Sequence, residues 1–488
     1  MTIKLTICDE VNIKFTGLSL DARKKLVASF KYEIPYAKYQ PAYKLGRWDG
    51  TVSLFGLGGN GYLSQLEKIL EILQKFGIDI DDVEDLRIPI DLSFTKVTET
   101  FWADQGTVWP VGHQAAGEPI MLRDYQVSAI NTFLENPQSL QSLPTGSGKT
   151  ITIATMVRQC EKFGRTITIV PNKSLVEQTL EDFVNCGLDV GVYYGDKKDL
   201  YKTHTICTWQ SLNIFDKKSK NSETDVLTLA EFLEDVRTVI VDETHVAKAE
   251  VLLSLLTQNL KNAPIRWGLT GTVPKEAFEY ERIFASIGPV VGKLEASELQ
   301  ELGVLSSCHV NVMQLIDIPA FRTYADELKY LVTDKDRMKY VSQLIAEIGK
   351  TGNTLVLVNR IDSGKAIIDE IPGAVFVSGA VKTKDRKTEY DQVGTSDDNI
   401  IVATYGVAAV GLNIIRIHNL ILLEPGKSFT RVIQSIGRGL RKGFDKESVE
   451  IYDITSTCKF SKRHLTTRKK FYAEVKYPFT IKKIDWQK

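Results

Sequence analysis

The order of apolar segments predicts an α/β protein: two doubly wound parallel-sheet domains in tandem, preceded by a small N-terminal α+β domain. Three observations predict it. Short apolar runs alternate with helical stretches from about residue 120 to about 290, among them TITIV, TVIVDE and IRWGLT. Strands covered by helices on both faces need such near-continuous apolar runs. A second series of similar length follows from about 305 to about 455, with TLVLVN, AVFVSG, NIIVATY, NLILLE and VEIYDI, and strands alternating with helices wind into parallel sheet. Residues 1–105 lack that rhythm. There, short alternating segments flank the turn GLGGNGY, and LSQLEKILEILQKFG then sets apolar residues at helical spacing.

The 488 residues are too many for one core, and length alone suggests about three domains. The expected division is 1–105, an accessory and DNA-binding domain; 106–119, a linker read from QGTVWPVGHQAAGEP; 120–295 and 296–456, the two α/β domains; and 457–488, a basic tail. The polar stretch NIFDKKSKNSETDVLT reads as a surface loop. No window approaches the roughly 18 apolar residues of a membrane span. The opening MTIKLTICDEVNIKF alternates and carries acids, so it reads as a strand, where a signal peptide needs an unbroken apolar block. Cys8, Cys160, Cys186, Cys207, Cys308 and Cys458 show no CxxC spacing, which argues against zinc and a disulfide framework and for the cytoplasm. Lys and Arg number 61, as do Asp and Glu, so only local charge is informative. Residues 1–50 are basic, 64–91 acidic, and the end of the chain is basic with interleaved aromatics, a distribution suited to gripping phosphate in places.

Three segments carry chemistry. LPTGSGKT at 143–150 precedes a helical run. Small residues there, Pro144, Thr145, Gly146, Ser147 and Gly148, let backbone N–H groups wrap phosphate oxygens at a helix N-terminus. Lys149 would reach the β- and γ-phosphates of ATP, and Thr150 would ligate Mg²⁺. Leu143 stands where the strict pattern has glycine. VIVDETH ends a strongly apolar run with Asp242, expected to hold Mg²⁺, and Glu243, expected to polarise the attacking water. In QSIGRGLR at 434–441, Arg438 and Arg441 are three apart, hence on one side of a helix, and beside an ATP site they could stabilise the γ-phosphate in the transition state.

Taken in order, these segments closely resemble superfamily 2 helicases of the DExH type. LRDYQ at 122–126 resembles the adenine-recognition motif, which implies base contacts from Arg123 and Gln126. LPTGSGKT, VPNKSLVEQ, CTWQSL, DETH, GLTGT, TLVLVNR, ATYGVAAVGLN and QSIGRGLR are similar to the remaining motifs, over roughly residues 120–455. The resemblance implies two RecA-like domains closing on one ATP, with Gln434 grouped with Arg438 and Arg441 as catalytic and Gly411 near the ribose. His245, Thr270 and Thr272 would couple nucleotide to DNA. Pro171, Asn172, Lys173, Thr208, Gln210 and Ser211 would contact DNA backbone from the first domain, and Asn359, Arg360 and Thr404 from the second. Asn413, where many relatives carry Asp, departs from the pattern.

The flanks resemble phage UvsW-type branch-migration helicases, including the version of T5-like phages. Those carry GxWDG in a small N-terminal domain, as GRWDG at 46–50 does here, and end in a basic tail. Trp48 is by that resemblance a DNA contact, although a hairpin turn packed by its tryptophan would look the same. The expected function is ATP-dependent remodelling of branched DNA, four-way junctions and forks, in phage recombination, repair and replication, with a monomer as the working form. Two alternatives are an RNA helicase or double-strand translocase, and an ATP-gated clamp that binds without moving.

Overall fold

The computed structural model describes residues 2–111, 113, 115–220, 227–244, 249–274, 276–377, 398–407, 416–426, 436 and 448–488. The chain divides into two units, one of Met1–Leu143 with Gly148–Lys293, the other of Leu294–Lys488 with Pro144–Ser147.

The N-terminal module of the first unit has strands β1 (Lys4–Ile7), β2 (Asn12–Thr16), β3 (Lys31–Glu33), β4 (Thr51–Ser53), β5 (Asn60–Tyr62) and β6 (Asp82–Asp85). The main sheet runs β5–β2–β1–β6 and is mixed, with β1 antiparallel to β2 and parallel to β6. Alternation puts Ile13 and Phe15 on one face, against Leu26 of the helix Leu20–Ser29 and Ile69 and Leu73 of the helix Leu66–Lys75. The turn at 56–62 needs Gly59, whose φ is +89° and where a Cβ would run into the Phe15 carbonyl.

This module is bonded to the first α/β core. The Asn12 amide donates to Thr257 O at 2.9 Å, Gln138 Nε2 to Glu10 O at 3.3 Å, and Gln65 Nε2 to Glu281 Oε2 at 3.2 Å. Ile34, Ala37 and Trp48 cluster with Phe278. The expected boundary at 105 is too late. Phe94 already packs on Trp267, the Val97 main chain pairs both ways with the Asn131 amide, and buried Trp102 donates its Nε1–H to Thr155 at 2.9 Å. The stretch read as a linker folds back on itself, with Val108 bridged to Pro119 and Trp109 stacked on His113.

The first α/β sheet contains β7 (Gln138–Ser142), β8 (Arg165–Val170), β9 (Val190–Tyr194), β10 (Lys197–Lys198), β11 (His204–Thr208), β12 (Val236–Asp242), β13 (Ile265–Thr270) and β14 (Val290–Lys293). Their order is β10–β9–β11–β8–β12–β13–β7–β14, parallel except at β10. Part of the segment read as a loop is helix, Trp209–Lys220, because Leu212 and Phe215 fall on one face and bury in the core; residues 221–226 lie outside the described residues.

The second sheet contains β15 (Ser307–Leu315), β16 (Thr354–Val358), β17 (Val375–Val377), β18 (Ile400–Thr404), β19 (Asn419–Leu423), β20 (Ser448–Ser456) and β21 (Phe479–Ile484), all parallel, in the order β17–β18–β16–β19–β20–β15–β21. The expectation of a basic tail is corrected here. Residues Lys459–Glu474 form a helix packed on β20, and β21 completes the sheet beside β15. Ser461, Leu465, Arg468 and Tyr472 recur at helical spacing and are buried. Arg468 grips Asp453 with two bonds of 2.8 Å, and the Tyr472 hydroxyl donates to the same carboxylate at 2.8 Å. A buried arginine must be paired in this way, since an isolated buried charge costs several kcal/mol (about 3–5 when one partner is removed). Lys462, Arg463, Lys469 and Lys470 occupy the exposed side.

Candidate nucleotide and nucleic-acid site

Ligands of open α/β sheets bind beyond the carboxyl ends of the strands, and that is where the first unit collects its expected site residues. β12, β13 and β7 are neighbours. β12 ends at Asp242, β13 at Thr270, and the phosphate loop follows β7. The Leu143 N–H donates to Thr270 O at 2.8 Å, and that of Thr244 to Leu269 O at 3.2 Å, so the middle strand ties the two flanking loops together. Leu143 extends the β7 core, only 3% exposed, which accounts for a leucine where the strict motif starts with glycine.

Gly146 and Gly148 adopt φ of +88° and +79°, a region in which other residues are strained. A side chain at Gly148 would also strike Gln126 Nε2. The expected adenine-recognition residue thus lies against the phosphate loop, its Oε1 accepting the Arg123 N–H at 2.9 Å. Arg123 itself is exposed and reaches the Tyr125 hydroxyl at 3.0 Å. Gly148 caps the helix Lys149–Cys160, and Thr150, half-buried, sits in its first turn.

Lys149 Nζ lies 3.0 Å from Glu243 Oε1 and donates to Leu143 O at 3.3 Å. Glu243 is a non-glycine residue at φ +52°, strain of order 1–3 kcal/mol that clusters at functional sites. Its N–H donates to Asp242 Oδ1 at 2.9 Å, and its Oε2 accepts from Gly271 N at 3.2 Å. Burial, then the Glu243 charge, raises the Asp242 carboxyl to about 7, against the pull of Lys149. Two adjacent carboxylates offer oxygen ligands to a divalent cation, and the Lys149 ammonium beside them offers a positive charge to phosphate. This donor set fits a nucleotide with a divalent cation. Thr270 Oγ1 donates to Thr272 O at 2.8 Å and accepts the Thr272 N–H at 3.2 Å. These threonines shape the turn whose Gly271 amide holds Glu243. Gly271 was not singled out by the sequence reading, although it stands inside GLTGT.

The expected DNA contacts of the first domain lie further along the same end of the sheet. β8 and β11 are adjacent with Val170 level with Thr208. Asn172 caps the helix Lys173–Asn185 by accepting the Leu175 N–H at 3.0 Å, Gln210 Nε2 donates to Pro171 O at 3.4 Å, and the Thr208 and Ser211 hydroxyls are 2.8 Å apart. Lys173 is exposed.

In the second unit Val358 is level with Thr404, so Asn359, Arg360 and Thr404 share one end. The Asn359 amide donates to Glu424 O, giving that side chain a structural bond as well as its expected one to DNA. Glu424, buried at φ +45°, receives Arg337 Nη2 at 2.9 Å and the Ser461 hydroxyl at 3.4 Å, while Arg337 Nε also meets Asp317 at 3.2 Å. Burial pushes the Glu424 carboxyl up to about 7, opposed by Arg337 and Arg468. A carboxyl with a raised folded pKa holds a proton that the unfolded chain gives up near its ordinary 4.5. Stability on that account falls as pH rises from about 5 to about 7, then levels. Thermal melts of wild type and Glu424→Gln should therefore diverge over that window in favour of Gln. A difference independent of pH would show that Glu424 stays ionised throughout.

His245, Gly411, Gln434, Arg438 and Arg441, and with them Asn413, lie outside the described residues. Among the described residues no helix is long and apolar enough to cross a membrane.

Residues 119–275 match the family described as type III restriction enzyme, res subunit, and residues 336–443 match the helicase conserved C-terminal domain. Together they cover more than half of the chain, in the order a two-sheet motor requires. The chain is a superfamily 2 helicase. The ATP-dependent DNA helicase UvsW of Enterobacteria phage T4 is 25% identical to this helicase over 467 residues, 91% of this chain and 88% of that protein. The DNA 3′-5′ helicase XPB of Mycobacterium tuberculosis is 23% identical over 382 residues, 75% of this chain and 66% of the relative. Among solved structures, the ATP-dependent Type ISP restriction-modification enzyme LlaBIII bound to DNA shares the fold at a TM-score of 0.55 and 14% identity, over 86% of this chain and 34% of that enzyme. The helicase is an ATP-dependent DNA helicase and an ATP hydrolase.

Proposed function

We propose that this helicase remodels branched DNA, driving four-way junctions and replication forks through branch migration in the cytoplasm of a phage-infected bacterium, in recombination, repair and replication. The observation that carries this reading is the reach of the similarity to T4 UvsW. It extends over 91% of the chain, beyond the motor segments and into the N-terminal module with its GRWDG.

In the working cycle Gln126 faces the base, and the amides from Thr145 to Gly148 and Lys149 hold the phosphates. Thr150 and Asp242 would hold Mg²⁺, which would supply positive charge against the phosphates. Glu243, released from Lys149 by the incoming phosphates and still held by the Gly271 N–H, orients the water. Arg438 and Arg441, with Gln434, meet the γ-phosphate when the two α/β domains close, and Gly411 lies near the ribose. Because Gly271 belongs to the turn made by Thr270 and Thr272, the state of the γ-phosphate is felt by β13, with His245 as the companion link toward DNA. Pro171, Asn172, Lys173, Thr208, Gln210 and Ser211, with Asn359, Arg360 and Thr404, hold phosphates, contacts that are independent of sequence and sensitive to salt.

ATPase stimulation by RNA, single-stranded DNA, linear duplex and four-way junctions, measured beside strand displacement by the monomeric full-length chain, tests the reading. Junctions should stimulate most and be unwound. Stimulation by RNA alone would make it an RNA helicase, and stimulation without displacement of any strand would make it a clamp.

A further inference from the structure

The N-terminal module presents a group of large side chains to solvent. Tyr39 is 70% exposed, Leu45 64%, and Tyr36 and Tyr43 42% each. They lie on and beside two short helical turns, Ala37–Tyr39 and Pro41–Lys44, interleaved with Lys38, Lys44 and Arg47. None of those three cations forms an ion pair among the described residues, whereas the neighbouring Lys31 is held by Asp49 at 2.7 Å. An exposed apolar cluster of this kind marks an interaction site.

The shelf is held from beneath. Ala37 and Ile34 bury against Phe278, with Trp48 packed beside them. Trp48 Nε1 donates to Thr51 O at 2.7 Å, and Asp49 accepts from the Thr51 N–H at 3.0 Å and its hydroxyl at 2.6 Å. Gly50, at φ +80°, leaves space for the Tyr43 ring, which a Cβ would approach to 2.9 Å. The GRWDG segment therefore builds the underside. Trp48, expected to touch DNA, is a strut, and the rings facing outward are the tyrosines. Phe278 belongs to the helix Ala277–Ser286, which follows the turn of Thr270 and Thr272.

We propose that Tyr36, Tyr39 and Tyr43 form a stacking platform for the unpaired bases of branched DNA, with Lys38, Lys44 and Arg47 on the flanking phosphates. Rings alternating with cations that no carboxylate neutralises among the described residues, Lys38 lying 5.3 Å from the Tyr39 ring centre, match a single strand, in which every base offers a π-face and every linkage a negative charge. The proposal rests on branched DNA as the substrate, and it assigns to one surface the recognition that backbone contacts in the motor lack.

The test uses the full-length chain without nucleotide, with fluorescence anisotropy of a labelled single strand, a fork with single-stranded arms, a four-way junction and a blunt duplex. The side chains are exposed, so unchanged melting temperatures should accompany every variant. Tyr36→Ala/Tyr39→Ala should weaken binding of the single strand, fork and junction by about tenfold, the scale of base–aromatic stacking, and leave the duplex within about twofold. Tyr36→Trp/Tyr39→Trp should restore it. Replacing Lys38, Lys44 and Arg47 together by Gln should weaken all four and lower the salt dependence by about three counter-ions. Wild-type affinity of the alanine pair for every DNA overturns the platform and leaves the shelf to a protein partner. An equal loss on the blunt duplex also overturns it, since stacking needs open bases. Should wild type unwind junctions no better than linear duplex, the branched-substrate reading fails, while the single-strand measurement still decides the platform.

Discussion

Lys149→Ala is expected to leave ATP hydrolysis at background, a loss of at least about 10³-fold, with the fold intact. Losing a cation that stabilises the transferring phosphoryl group has an effect of that size. Here the loss acts twice. The phosphates lose their ammonium, and Asp242 and Glu243, already a like-charged pair with the Asp242 carboxyl raised to about 7, lose the positive charge 3.0 Å away. The Asp242 proton is then held more tightly, because the pull of Lys149 on that carboxyl is gone, so the group expected to take Mg²⁺ is less often ionised. Alanine is a good helix former at the first helical position, so circular dichroism and melting should change little. Steady-state phosphate release beside binding of a fluorescent nucleotide is the measurement. Hydrolysis at the wild-type rate would remove 143–150 from the nucleotide site.

Substitution of Arg438 or of Arg441 by Ala should separate binding from chemistry. In the proposed cycle both arginines act on charge that develops only as the γ-phosphoryl group transfers. Nucleotide affinity should stay near wild type, while turnover falls by about 10³, as for arginine fingers. Single-turnover hydrolysis at saturating ATP reads the second quantity without the first. A collapse of affinity with unchanged turnover would make the arginines ground-state ligands.

Local pattern made much of this legible. Apolar strand runs such as TVIVDE and IRWGLT announce their own burial, and their carboxyl ends bring Lys149, Asp242, Glu243 and Thr270 together because parallel α/β topology leaves few alternatives. What stayed hidden depends on partners far along the chain. Arg468 and Tyr472 sit in a run of lysines and arginines that looks solvated, and only Asp453 on β20 turns them inward. Trp48 could be a contact or a strut until Phe278, some 230 residues away, is seen beside it. The junction near residue 105 was misplaced because Phe94 and Trp102 occur in a stretch with no periodicity, and their burial is decided by Trp267 and Thr155. Gly271 acts through its backbone amide, which every residue type but proline also has.

β15 opens the second sheet in sequence and lies between its last two strands, β20 and β21. Its pairing partners arrive late: His309 meets Thr480 across 171 residues, and Gln314 meets Ser456 across 142. During synthesis β15 emerges with both edges bare and must wait first for β20 and then for β21, the arrangement that makes folding slow and leaves strands open to wrong partners. A premature stop shortly before residue 479 would leave every motor motif in place and yet strip one edge of that strand. Such a shortened protein should therefore be lost to aggregation or proteolysis, and an affinity tag would disturb the nascent chain less at Met1 than fused close behind Ile484.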